Sequence, residues 1–207
     1  MTRKERVVRR GVTSDHIVQF FDTISSMAET VSAFLADGFR SGEHLLVVAK
    51  RRHWRAIEPR LRHRTASTPR LPAGQVTVLD AGTTLPSFMR RGLPDSVLFH
   101  KVIGELVHHL AANRSGLRIY GEIVDLLAEE GNFHAAQRLE ELWNELAVRN
   151  SLVLLCGYSA AHFTSSGTRE ALSHICRTHT NVRTSAADPL AEWVLSGRAP
   201  LSAGADR

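Results

Sequence analysis

The stretch LRIYGEIVDLL, residues 117–127, decides how the chain is read. Its first four residues make a short apolar run of the kind that forms a buried parallel strand, and EIVDLL then falls into helical spacing. Glu122 therefore stands at the carboxyl end of a strand, with Asp125 three residues on along the same helix face. In open α/β sheets, ligands bind along that edge. A carboxylate placed there has three readings. It recognises a ligand, it takes part in acid–base chemistry, or it serves a helix N-terminus, where the dipole makes it worth ~0.3–1 kcal/mol.

The same alternation of strand and helix repeats on both sides of this stretch. HIVQFFD (16–22) reads as a first strand, and SSMAETVSAFLADGF follows as a helix with Met27, Val31, Phe34, Leu35 and Phe39 at helical spacing. Ser25 or Ser26 is its expected N-cap, and Gly42 lies near its stop. HLLVVAK (44–50) is a second strand, apolar without interruption, and a basic helix centred on Trp54, Ile57 and Leu61 comes after it. TASTPRLPAG is a loop, QVTVLDA a third strand, and LPSFMRRGLPD a short helix or turn. Residues 96–112 are expected to be helical and buried along Val97, Val102, Leu106 and Leu110. In NFHAAQRLEELWNELAVRN, Asn132 caps a helix whose stripe is Ala135, Leu139, Leu142, Trp143 and Leu146. SLVLLCGYS is a fifth strand and GTREALSHICRTHT a last helix.

Five apolar strands alternating with helices predict an α/β fold: three layers, a mostly parallel sheet with helices on both faces. At 207 residues the chain is the size of one domain. That domain is assigned to residues 15–183, between a basic, flexible N-terminal arm (1–14) and a flexible C-terminal tail (184–207).

With 43% hydrophobic and 23% charged residues, the composition is that of a folded globular protein. Two cysteines make no disulfide framework, the basic N-terminus lacks the apolar core of a signal peptide, and no apolar run reaches the ~20 residues that span a bilayer. A cytoplasmic protein without membrane contact is the expectation. The net charge of +5 concentrates in RKERVVRR and in KRRHWRAIEPRLRHR (50–64). Such runs attract nucleic acid or form a solvated helix face, and no DNA-reading module accompanies them.

No GxxxxGK[ST] follows the first strand, where the turn reads DTISSMAET, and no GxGxxG, GxSxG or HExxH appears. No enzymatic activity and no cofactor are therefore expected; a residual nucleotide hydrolase would need ATP binding without the lysine. HICRTH places Cys176 and His179 at metal-like spacing. A half-site of that kind falls short of the ligand count zinc needs, so no metal is expected; the plain alternative is an inward cysteine with surface histidines.

The motifs HIVQFFD, FLADGFRSGEHLLVVA, LDAGTTLPSFMRRGLPD, RIYGEIVDLLAEEGNFHAAQRLEELWNELA and LLCGYS, in this order and spacing, resemble the MEDS domain (methanogen/methylotroph, DcmR sensory) of bacterial and archaeal regulators and sensor kinases. The resemblance runs from about His16 to Phe163. It implies a RecA/KaiC-like fold without a P-loop, a sensory role with proposed binding of small hydrocarbon derivatives, and no established catalysis. By position, His16 matches the family's leading histidine and Glu43 the acidic residue before the second strand. Gly121, Glu122 and Asp125 match GEMVD, Trp143 and Asn144 match LWN, and Cys156 and Tyr158 match LCAY, with Gly157 replacing the alanine. Cys176 and His179 match the IC..H of the C-terminal helix. Val18 and Phe21 depart, standing where some members have cysteine and where tyrosine is common; loss of these polar groups implies a more apolar ligand or none.

The candidate ligand-binding residues are thus His16, Phe21, Asp22, Glu122, Asp125, Cys156 and Tyr158. His16 opens its strand, away from the carboxyl edge, which weighs against it; Cys156 also reads as an inert buried thiol. The function expected is a stand-alone cytoplasmic sensory domain for signal transduction. It binds a small organic ligand at the sheet's carboxyl edge and relays this to a regulatory protein partner, such as a kinase or transcription factor, because the chain has no room for an output module. A homodimer is compatible with that arrangement. The alternatives are a nucleic-acid-associated transcriptional regulator using the 50–64 helix and an interaction scaffold that binds no ligand.

Overall fold

The computed structural model describes residues 14–66, 71–72, 74–112, 116–150 and 152–183. Residues 1–13 of the proposed arm, the whole proposed tail 184–207 and half of the TASTPRLPAG loop lie outside the described residues. The strands are β1 (Asp15–Phe21), β2 (His44–Ala49), β3 (Val76–Asp80), β4 (Met89–Arg90), β5 (Leu93–Pro94), β6 (Leu117–Gly121), β7 (Val153–Ser159) and β8 (Asn181–Arg183). Six form one parallel sheet in the order β3-β2-β6-β7-β1-β8. The chain leaves β1 for β2 three places away, and β6 and β7 later fill the gap. The carboxyl ends of β1, β2, β6 and β7 therefore meet where the winding changes direction.

Helices α1 (Ile24–Arg40) and α2 (Arg51–Arg64) cover one face. There Ile17, Leu45, Val47, Tyr120 and Leu155 pack against Val31, Leu35, Ile57 and Leu61. The opposite face carries α5 (Glu105–Ala112), α6 (Ile123–Glu129), α7 (Phe133–Asn150) and α8 (Arg169–Thr178), packed on Val18, Phe20, Leu46, Ile119, Leu154 and Cys156. Alternate residues of one strand thus enter two cores, which is why the central strands are mainly apolar, whereas β3 at the sheet edge is only partly buried. The protein is a three-layer α/β domain, as the alternating pattern predicts.

Several local expectations are corrected. Thr23, not Ser25 or Ser26, caps α1, accepting from the Ser26 amide at 3.1 Å. Asn132 does cap α7, through the Ala135 amide. Short α3 (Ala81–Thr84) and a 3₁₀ turn precede β4 and β5, which pair as a hairpin through Arg91 and Gly92, both at positive φ. Val97 is 74% exposed rather than buried. Between α4 (Ser96–Phe99) and α5, residues His100–Gly104 form a π-turn. Its wider winding shifts the inward face to Phe99, Ile103, Val107 and Leu110.

Candidate functional site

Over the carboxyl ends of β1, β2, β6 and β7 lies a cavity of about 260 Å³, near the lower end of small-ligand pockets. Phe21, Asp22, Glu122, Asp125 and Tyr158, five of the seven candidates, line it. Phe21 ends β1 and Asp22 follows it, Tyr158 is next to last in β7, Glu122 stands just before α6 and Asp125 lies in its first turn.

Glu122 does not cap α6 with its side chain. It turns toward the β2–α2 junction, where Oε1 accepts from the Lys50 amide and Oε2 from Tyr120 Oη at 3.1 Å. His53 Nδ1 lies 2.7 Å from the same Oε2. Because Arg52 Nε donates to His53 Nε2 at 3.2 Å, the His53 proton sits on Nδ1 and is given to Glu122. Asp125 is equally engaged: Oδ1 accepts from the Ser159 amide and Oδ2 from Lys50 Nζ, both at 2.7 Å. His162 Nε2 approaches Asp125 Oδ1 at 3.1 Å without forming a hydrogen bond. Lys50 Nζ also reaches Glu129 at 2.7 Å.

Burial by itself would lower the Lys50 pKa, but the Asp125 and Glu129 carboxylates outweigh it and raise it above the ordinary value. Burial, reinforced by the Glu122 charge, pushes the Tyr120 hydroxyl well up. With all four oxygens of Glu122 and Asp125 held by donors, neither carboxylate is placed as a free general base. The site instead offers fixed charges and hydrogen-bonding groups beside an apolar wall of Phe21, Ile24 and Met27.

Gly157 is what lets these groups converge. A Cβ there would lie 2.7 Å from Tyr120 Oη and 3.2 Å from the Phe21 ring. Gly157→Ala is expected to push the Tyr120 hydroxyl off Glu122 at a cost of about 1–3 kcal/mol, the range for overpacking. Urea denaturation checks this, and an unchanged midpoint would show that the rings yield freely.

Lys50, His53, Tyr120 and His162 are missing from the sequence-based candidates. The rule that singles out Glu122, a polar residue directly after an apolar strand, also selects Lys50. Its place at the head of a basic run hides it. That run is no uniformly solvated face: His53 is buried, and Arg60 and Arg64 pair with Glu29 of α1. Glu43 lies away from the cavity and pairs with Arg118 at 2.6 Å.

His16 and Cys156 do not line the cavity. With Val18, they point to the α7–α8 face, below the strand ends. There His16, Glu140, Cys156 and His179 bring their donor atoms within 4.8 Å of one another, all buried. His179 is therefore not a surface histidine, and Cys176, whose thiol burial pushes up to about 11, stands outside the group. Burial alone would raise the Glu140 pKa, but His179 and His16 outweigh it and hold the carboxyl well below the usual range. Burial, then Glu140, pushes the Cys156 thiol well up. Tyr158 joins the two regions, lining the cavity while its hydroxyl donates to Glu140 Oε1 at 2.7 Å.

Six parallel strands between helical layers define an α/β domain with a polar cavity over the carboxyl ends of its strands, where open α/β sheets bind ligands. Residues 15–180 match the family model MEDS, the MEthanogen/methylotroph, DcmR Sensory domain, and the chain belongs to that family. None of the curated proteins compared with the chain matches it. MEDS is a sensory domain family, which gives the protein a sensory role. Among the described residues, no helix is long and apolar enough to cross a membrane.

Proposed function

We propose that the protein senses a small organic ligand in the carboxyl-edge cavity and relays its binding to a regulatory protein partner. The observation that carries this reading is the cavity itself, lined by the fixed carboxylates of Glu122 and Asp125 together with the apolar Phe21, Ile24 and Met27. Such a site suits a molecule of a few heavy atoms with one polar group. Lys50 ties the start of α2 to α6, so a ligand touching Asp125 or Lys50 also touches the contact between those elements. Relay requires that the ligand bind the two arrangements unequally. The family's sensory character supports this reading, and the engagement of Arg60 and Arg64 with Glu29 favours it over nucleic-acid binding.

The test is a thermal-shift panel of small alcohols, amines and carboxylates, with each hit confirmed by native mass spectrometry. At least one class is expected to bind one molecule per chain. Glu122→Gln is expected to weaken that class about 10–100-fold, the scale of a hydrogen bond to a charged group. A panel with no binder, or equal affinity in Glu122→Gln, would overturn the assignment.

A further inference from the structure

We propose that His16, Glu140, Cys156 and His179 bind one Zn²⁺ ion, which fastens the C-terminal helix to the sheet. The four residues come from β1, α7, β7 and the residue following α8, so no sequence spacing announces them.

All four donor atoms lie within 4.8 Å of one another, and four of their six separations are close to those of a coordination shell. His16 Nε2 lies 3.2 Å from Cys156 Sγ and 3.3 Å from Glu140 Oε2. Glu140 Oε2 lies 3.3 Å from Cys156 Sγ and 3.4 Å from His179 Nε2. A tetrahedron built on zinc bonds of ~2.0–2.3 Å has edges of roughly 3.3–3.8 Å. The donor atoms thus already stand close to where an ion between them would hold them.

The surroundings orient each ligand. Asn144 Nδ2 donates to the Thr178 carbonyl at 2.9 Å, so its Oδ1 faces His16 Nδ1 at 2.8 Å and accepts that ring proton. His179 Nδ1 gives its proton to the Ile175 carbonyl at 2.7 Å. With each Nδ1 engaged in this way, the Nε2 atoms of both rings are aimed at the centre, the arrangement in which backbone or amide oxygens set metal-binding histidines. Tyr158 holds the second oxygen of Glu140, leaving Oε2 for the ion. A second, independent sign is His179 Nε2 itself, fully buried and without a hydrogen-bond partner.

Two imidazoles, a thiolate and a carboxylate suit borderline-soft Zn²⁺. The thiolate and carboxylate charges match the dication, so the filled site is neutral in a buried setting where net charge is costly. Binding displaces the Cys156 thiol proton to solvent, with no redox change. Four protein ligands close the tetrahedron, which makes the site structural rather than catalytic. The ion would pin α8 and β8 to β1, β7 and α7. Tyr158 would connect that clamp to the cavity wall.

The experiment uses the full chain without a metal-binding tag. Metal content is measured as purified; chelator-stripped protein is then titrated with Zn²⁺ and with Co²⁺. Stoichiometric zinc, a rise in Tm on adding zinc to stripped protein, and a thiolate-to-cobalt charge-transfer band are expected. Cys156→Ser should abolish that band with the fold retained by circular dichroism, and His179→Ala should lower zinc affinity at least ~10-fold. Cys176→Ser should leave both unchanged. No zinc-dependent Tm shift and no cobalt band in the parent would overturn the proposal. So would a band that survives Cys156→Ser and vanishes in Cys176→Ser.

Discussion

Trp143→Ala is expected to cost the fold about 3–5 kcal/mol, the scale for truncating a large buried aromatic. Trp143 is 1% exposed, the largest fully buried side chain among the described residues. Its ring meets Phe99 edge-on at 5.3 Å, and Phe99 meets Phe88 the same way at 5.4 Å. This aromatic column joins α7 to α4 and to the turn before the hairpin. Truncation opens a cavity that three separate elements cannot close together, so the penalty should exceed simple transfer. In urea denaturation the midpoint should fall with the slope unchanged, since the same surface is exposed on unfolding. Trp143→Phe should recover much of the loss. A cost below ~1 kcal/mol for the alanine variant would mean that the column collapses freely, contrary to this packing.

The architecture was legible because the central strands are covered on both faces: β2 is apolar at every position after His44, β1, β6 and β7 are mainly so, and the partly buried β3 keeps three apolar residues, so five of the six sheet strands announce themselves. The sixth, β8, does not. Its three residues are exposed and join the sheet only by pairing with β1, which leaves no hydrophobic pattern to read. The π-turn at His100–Gly104 was invisible for a related reason, since a shift of phase looks like ordinary helical periodicity until the buried face is known. The β4–β5 hairpin consists of two-residue strands, too short for alternation to show.

At the cavity, topology made Glu122 and Asp125 readable, because a strand end followed by a helix has a fixed place in a parallel sheet. Lys50 and His53 occupy the equivalent place after β2, but charge clustering directed the reading toward a solvated helix. The buried quartet was not readable at all as a group. Glu140 looked like one more charged residue in EELW, yet its side chain is 0% exposed. Only Cys176 and His179 had suggestive spacing, and the fold keeps one of them and discards the other.

Lys50→Met is expected to cost about 3 kcal/mol, the lower end for removing one partner of a buried ion pair. The lysine side chain is 12% exposed and Asp125 only 6%, so the carboxylate left behind would stay largely out of water. Methionine preserves the apolar stem, which isolates the charge from the packing. Glu129 contributes little to the penalty, being half exposed and able to turn to solvent. The decisive comparison is the double variant Lys50→Met/Asp125→Asn. If the penalty comes from an uncompensated carboxylate, the double variant should unfold at a higher urea concentration than Lys50→Met alone. If its loss equals or exceeds the sum of the two single losses, the Lys50 and Asp125 charges are not coupled. The α2–α6 contact beside the cavity would then not rest on an ion pair that a ligand could displace.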